Sequence, residues 1–302
     1  MTSEPLVISI DDAMDRLGTG PFQHKILIAA GSCFMADAME AMLLSFLALI
    51  LEKEWTLSKE QTATIISLVF IGAMVGNLIF GPAGDRLGRR PIFYICSLTI
   101  GMFGIATSFV RGYIALILLR FVVGIGLGGL TVPFDILAEF LPTQSRGTYL
   151  ILINLFWTLG SVLTVLVAYC TIGIGIHWRW FVSICAIPCF ISMVFVYLFV
   201  PESPHWLVSQ GRTDEALKIL YRGSLDNRKD PMTLFPPGCR LRSESMENTS
   251  SQESNRLVAA PLTYEMNGEK HRSLCAKCLS VCGNISYVVF LLSLTISSHF
   301  FC

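Results

Sequence analysis

Apolar residues gather into six long runs, at about 26–50, 62–82, 92–110, 113–137, 149–173 and 180–200. Each is close to the ~20 residues an α-helix needs to cross ~30 Å of hydrocarbon. The polar connections are short: Glu52–Gln61, Gly84–Pro91, Arg111–Gly112, Ala138–Thr148 and Gly175–Arg179. Short connections make sequence neighbours antiparallel members of one bundle. The pattern predicts an all-α fold, a polytopic membrane helix bundle over residues 26–200.

The flanks differ. Residues 1–25 read as a polar N-terminal tail. They carry Glu4, Asp11, Asp12 and Asp15 and lack a basic start, so they do not form a cleavable signal peptide. After residue 200, Gly211-Arg212-Thr213-Asp214-Glu215-Ala216-Leu217 predicts a turn, a Thr213 N-cap and a short amphipathic helix to about Tyr221. Beyond Gly223 the chain turns polar, with Pro231, Pro236-Pro237 and a Ser/Glu/Asn run. Residues 201–283 are therefore expected to be a flexible linker around that helix. An apolar stretch at 284–302 is barely long enough to span, and reads as a seventh helix, a re-entrant segment or an interfacial tail.

Composition sharpens this picture. Of the 302 residues, 53% are hydrophobic and 15% charged, where a soluble domain carries about 25% charged. The first 200 residues hold only 11 of the 22 Lys and Arg and 12 of the 22 Asp and Glu. Such a chain is neither a soluble enzyme nor a disordered protein. Its formal net charge of zero offers no basic surface to nucleic acid. Neither a nucleophile–base pair nor a metal-ligand cluster is apparent, so no cofactor or metal is expected. Most of the ten cysteines, Cys33, Cys96, Cys170, Cys185 and Cys189 among them, lie in apolar runs and act as small hydrophobes.

Loop charge predicts the orientation. With the N-terminus in the cytoplasm, Arg16, Lys25, Arg86, Arg89, Arg90, Arg146, Arg212 and Lys218 lie inside, against Lys53, Lys59, Arg111 and Arg179 outside. The same bias puts residues 201–283 inside. It would leave the glycosylation patterns at Asn248 and Asn284 unused. Cys275, Cys278 and Cys282 lack a second ligand pair for zinc and read as juxtamembrane thiols open to palmitoylation.

The strongest motif is Gly81-Pro82-Ala83-Gly84-Asp85-Arg86-Leu87-Gly88-Arg89-Arg90, between the second and third runs. Its glycines permit a tight turn, and Asp85 is placed to accept hydrogen bonds at the start of the next helix. A basic turn obeying the positive-inside rule explains the arginines but not the fixed spacing. Arg120-Phe121-Val122-Val123-Gly124-Ile125-Gly126-Leu127-Gly128-Gly129 follows in the fourth run, and six residues separate Glu139 from Arg146-Gly147. Trp178-Arg179-Trp180 and Pro201-Glu202-Ser203-Pro204-His205-Trp206-Leu207 bracket the sixth. In this order the motifs resemble the major facilitator superfamily, in its sugar-porter and organic-ion branches. Met35-Ala36-Asp37-Ala38-Met39-Glu40 and Ala138-Glu139-Phe140-Leu141-Pro142 make the chain similar to the synaptic-vesicle-2-related, SVOP-like transporters. The sugar-porter form has Arg where this chain has His205.

The resemblance covers about residues 20–222, one six-helix half of a twelve-helix fold with inverted repeats. It implies alternating access about a midplane site. No second charged loop follows. Two functions are expected: a secondary transporter of a small, organic ionic solute, or a non-transporting truncated form acting through association. The expected partners are the solute, lipid, and either a face-to-face homodimer or a full-length transporter. The expected compartment is the plasma membrane or an intracellular vesicle.

Buried charge locates the candidate chemistry. Asp37 and Glu40 share one face of the first run, and Arg120 sits in the fourth. At ~1.5 Å per residue Asp37 is ~17 Å from the inner end and Arg120 ~20 Å. A charge there costs at least ~2.5–3.5 kcal/mol, which calls for a partner. An Asp37–Arg120 pair is expected, either a protonation switch coupling protons to transport or a static pair orienting two helices, with unrelated partners for each charge as the third reading. Gly81, Asp85, Arg86, Gly88, Arg89, Arg90, Asp135, Glu139 and Arg146 are expected to form a charge network that locks one access state or anchors structure. Asn154 stands where the resemblance implies a substrate-contacting residue, and Trp157 shares its face. Amide and indole suit a polar or cationic solute, against the plainer reading of an interhelical hydrogen bond and an interfacial Trp. The clustered Gly124, Gly126, Gly128 and Gly129 read as close helix packing, and Pro133 and Pro188 as kinks.

Overall fold

The computed structural model describes residues 6–129, 131–236 and 238–242. It holds six spans long and apolar enough to cross a membrane. These are α2 (Pro21–Glu54), α3 (Lys59–Leu87), α4 (Arg89–Ser108), α5 (Tyr113–Leu127) with α6 (Thr131–Glu139), α7 (Arg146–Thr171) and α8 (Trp178–Phe199). The helices overrun the apolar runs where local signals allow. Pro21 at the first helical position starts α2 five residues before the expected boundary. A reciprocal capping box between Ser58 and Gln61 starts α3. The fourth span breaks between α5 and α6, after Gly128-Gly129 and before Pro133.

The packing has an internal symmetry. α2 packs on α7 and α8, α5 packs on α3 and α4, and α4 packs on α8. Exchanging the first three spans for the last three returns the same set of pairs. Three spans reverse the chain's direction, so the two triplets are an inverted repeat, as the resemblance implied.

Glycine decides how close α3 and α5 come. A Cβ at Gly124 would fall on the Val69 carbonyl, and one at Gly72 on the Phe121 carbonyl. The glycines of the fourth span thus serve backbone approach. α2 is the central helix, with most of its length buried. Two apolar clusters fill the bundle, and on α2 one gives way to the other between Cys33 and Ala36, beside Asp37.

Beyond the spans, the tail and the linker depart from expectation. Residues 1–25 include β1 (Val7–Ile8) and α1 (Ile10–Leu17), which has an N-cap at Ser9 and Asp11 and Asp12 in its first turn. After α8 come α9 (Pro204–Ser209), α10 (Thr213–Asp226), α11 (Pro231–Leu234) and β2 (Arg240–Leu241). β1 and β2 pair in parallel. α10 runs past Tyr221, and Thr213 is its first helical residue rather than a side-chain cap.

The stretch to Leu241 is therefore folded onto the tail rather than a flexible linker. Met14, Leu17, Phe22, Leu220 and Phe235 share one buried cluster. Lys229 donates to the Leu17 carbonyl at 2.9 Å, and Asn227 accepts from the Phe22 amide at 2.9 Å. The expectations for Asn248, Cys275, Cys278, Cys282, Asn284 and the 284–302 stretch lie outside the described residues.

Candidate functional site

Two charged centres lie at different depths. The deeper one joins α2 to α5. Arg120 forms an ion pair with Glu40, each 1% exposed. The guanidinium meets Glu40 and not Asp37, which corrects the expected pairing. The two acids are one turn apart, and only side-chain packing decides which one reaches α5. Asp37, 4% exposed, accepts instead from the Cys33 thiol one turn back, at 3.7 Å. Cys33 in turn lies 3.9 Å from the Ser97 hydroxyl. Glu40 Oε2, Arg120 Nε and Arg120 Nη2 are buried with no hydrogen-bond partner among the described residues.

One turn below Asp37, Phe34 meets two rings from other helices. Its centroid is 5.1 Å from Phe134 and 5.0 Å from Trp157. Trp157 thus belongs to an aromatic cluster of α2, α6 and α7 rather than standing alone at an interface. Asn154 is exposed and donates to the Leu150 carbonyl of its own helix at 2.8 Å. Among the described residues its side chain makes no interhelical hydrogen bond of the kind the plainer reading expected.

The second centre sits at the end of the bundle that gathers α1, the α3–α4 turn, the α6–α7 loop and α9. Arg89 is its hub, with Asp85 at 3.0 Å, Asp135 at 3.5 Å and Glu139 at 3.4 Å. Of the residues expected to form a network, Asp85, Arg89, Asp135 and Glu139 come together here, and the others lie elsewhere. Arg86 is exposed and stands outside it. Arg90 donates to the Tyr197 carbonyl at 3.1 Å and lies over the Tyr94 and Tyr197 rings. Arg146 turns to Asp11 of α1 at 3.5 Å. Gly81 lies inside α3 with open space at its Cβ position, so it makes no turn and no close approach.

The turn itself is made by Gly88, at φ +100°. Asp85 does not cap α4. It remains in the last turn of α3, and its carbonyl accepts from Trp206 Nε1 at 2.9 Å. Glu202 takes the capping role from 113 residues away. Its carboxylate accepts from the amides of Arg89 at 3.1 Å, Arg90 at 3.3 Å and Ser203 at 3.2 Å. An anion at a helix start satisfies orphan N–H groups and the helix dipole together. Sequence reasoning quoted Glu202 within its motif without giving it this role, because the contact joins segments far apart in the chain.

His205 lies beside this hub, 4.0 Å from Asp11. Burial lowers its pKa from the usual 6.5, and Arg146 lowers it further against the opposing pull of Asp11. Among the described residues, no group of three or more His, Cys, Asp or Glu is arranged to hold a metal.

The sequence profile of the sugar (and other) transporter family matches residues 31–294. The chain belongs to that family, within the major facilitator superfamily. It is 36% identical over 250 residues to Organic cation/carnitine transporter 7 of Arabidopsis thaliana, covering 82% of this chain and 49% of the relative. It is 37% identical over 218 residues to the Synaptic vesicle 2-related protein of Xenopus laevis, covering 72% and 39%. The human SVOPL chain is 37% identical over 225 residues, covering 74% and 45%. The chain thus spans about half the length, or less, of these curated relatives.

Among solved structures, the partially occluded, inward-open xylose transporter XylE of E. coli superposes with a TM-score of 0.62 at 21% identity. That match covers 78% of this chain and 60% of XylE. A likeness at that identity establishes the fold. The family is one of transporters and not of enzymes, in agreement with the reading of the sequence, and six apolar spans make this member a multi-pass membrane protein.

Proposed function

We propose that the chain forms the N-terminal six-helix half of a secondary transporter for a small organic ion, cations first, driven by protons through Asp37, Glu40 and Arg120. The observation that carries this reading is the Glu40–Arg120 pair, buried in the span with Asp37 one turn away and three of the pair's polar atoms unpartnered. With both acids ionised the cluster has one negative charge in excess, and one added proton makes it neutral. Charge in a low-dielectric span is tolerated when it has such a role.

A proton on Glu40 removes the charge that holds Arg120, which frees α5 from α2. Asp37, held by one weak thiol bond, is the second seat for the proton. The acids and the Phe34–Phe134–Trp157 cluster together suit a cation, by charge and by cation–π contact. The printed name of the Arabidopsis relative agrees with that class. At the bundle end, Arg89 bridges the α3–α4 turn to α6 and so holds one access state. Loop charge favours placing this end, with the N-terminus, in the cytoplasm of a plasma-membrane or vesicle protein.

The test is uptake by the chain in proteoliposomes. Labelled tetraethylammonium, carnitine, benzoate and glucose are offered with and without a proton gradient. Saturable cation uptake that follows the gradient is expected. Glu40→Gln and Asp37→Asn should leave insertion intact and uncouple uptake from the gradient. Uptake indifferent to the gradient in the unaltered chain overturns proton coupling. A correctly inserted chain that takes up none of the four leaves the association-only reading.

A further inference from the structure

α10 lies beneath the end of α8, and two adjoining grooves run along it. The larger, about 520 Å³, is lined by Leu87, Glu202, Trp206, Arg212, Lys218 and Arg222 among others. The smaller, about 270 Å³, is lined by Arg90, Tyr197, Leu198, Phe199, Arg222 and Asp226 among others. Arg222 and Ile219 belong to both, so the two form one continuous depression.

Its upper wall is the end of two membrane spans. Leu87 is 59% exposed, Tyr197 69% and Leu198 62%, which are lipid-facing values for large apolar side chains. Its floor is the polar face of α10. The depression therefore straddles the boundary where hydrocarbon gives way to headgroups.

The charges inside it do not cancel one another equally. Glu202 already accepts from three backbone amides. Glu215 is held by both arms of Arg212, at 2.8 and 2.6 Å. Asp226 is paired with Lys25 at 2.8 Å. Arg90 is directed to the Tyr197 carbonyl. Lys218 and Arg222, one turn apart on α10, make no hydrogen bond or ion pair among the described residues. Glu215 is the acid whose field reaches Lys218. Two available cations thus stand at the foot of an apolar, aromatic wall, with Trp206 lining the same groove.

We propose that this depression binds an anionic phospholipid. Arg222 and Lys218 take the phosphate and carboxylate of the headgroup, and an acyl chain lies along Tyr197 and Leu198 of α8. The chemistry selects an amphiphile. A free anion would satisfy the cations but leave the apolar wall unused, and a neutral lipid would do the reverse. The ligand would bridge α8 to α10, so that lipid composition sets how firmly the α1–α10 layer is held against the spans. Neither cation belongs to the transport site or the Arg89 hub.

The experiment is thermal unfolding of the detergent-solubilised full chain during titration with phosphatidylserine. Phosphatidylcholine and water-soluble glycerophosphoserine are the other two arms. Phosphatidylserine is expected to raise Tm saturably and more than phosphatidylcholine, with glycerophosphoserine far weaker. Arg222→Gln with Lys218→Gln should weaken the phosphatidylserine midpoint by about 5-fold per cation removed, with Tm in phosphatidylcholine unchanged. Arg222→Lys should bind nearly as well. If that pair of substitutions unfolds the chain, Arg222→Lys and Lys218→Arg carry the test through retained binding. Equal stabilisation by both lipids, or an unaltered midpoint in a folded double variant, overturns the proposal. Equal effects of glycerophosphoserine and the intact lipid overturn the bridging acyl chain and leave an anion site.

Discussion

The mid-span centre and the end-face centre are both built on arginine and carboxylates, yet they are held in opposite ways. Among the described residues Arg120 has one ion-pair partner, Glu40, and both are 1% exposed. Arg89 has three carboxylate partners and a side chain 19% exposed. Water beside Arg89 screens its charges and can replace any one partner, so no single bond there is indispensable. In the span no water is at hand to replace Glu40, and a charge stripped of its partner keeps its full desolvation cost. The lesson is that a lone buried pair responds all-or-none to one proton, which suits a switch. A redundant, half-wet hub responds gradually, which suits a latch.

The comparison is broken most severely by Arg120→Leu. It strands Glu40 beside Asp37 and should cost about 3–5 kcal/mol, read as a fall in Tm in detergent. Adding Glu40→Leu should restore most of that stability while leaving no gradient-driven uptake. Full restoration of coupled uptake in the double variant would remove the switch from the pair.

A smaller effect is expected at the hub's turn. Gly88 sits at φ +100°, and a Cβ there would lie 2.9 Å from the Glu202 carboxyl. Gly88→Ala should cost about 1–3 kcal/mol by straining the backbone and displacing the α4 cap. Glu202→Gln should cost about 1–2 kcal/mol, since it keeps an acceptor and loses the charge. The two should be less than additive, because both act on the same cap. Strict additivity in unfolding experiments would show that Glu202 does not hold that turn.

The smallest effect belongs to His205. Its folded pKa is lowered, so the unfolded chain binds the proton first. Stability is full above the ordinary histidine value of 6.5 and falls as pH drops from there through the folded pKa. Protection factors of the α1 and α9 amides, corrected for the intrinsic pH dependence of exchange, should fall across that window, and His205→Gln should flatten the response. Protection in these helices that is the same at pH 5 and pH 7 would exclude a contribution from His205.

The six spans were legible because each is a local property, a run of apolar residues long enough for hydrocarbon. The α3–α4 motif was legible because its spacing is local too, and Arg89 of that motif lies beside Glu139 and Asp135. What failed was reach across the chain. Asp37 and Glu40 share a face, and periodicity cannot say which of two acids one turn apart meets α5. Asp85 is adjacent to α4, yet Glu202 caps it. Arg146 was expected in the network but pairs with Asp11 of the N-terminal tail.

By itself, then, the sequence determined that the described residues form a bundle of six apolar spans, and where the loops between them lie. Hydropathy and helical rise suffice for that, since each helix meets its backbone bonds within its own segment. The tertiary structure decided the partners: Glu40 for Arg120, Glu202 for Gly88-Arg89-Arg90, and α1 with β1 for α10 and β2. Those choices depend on side-chain direction and on contacts between residues eighty or more positions apart. No local pattern encodes them, because their energy appears only when the distant segments are already packed together.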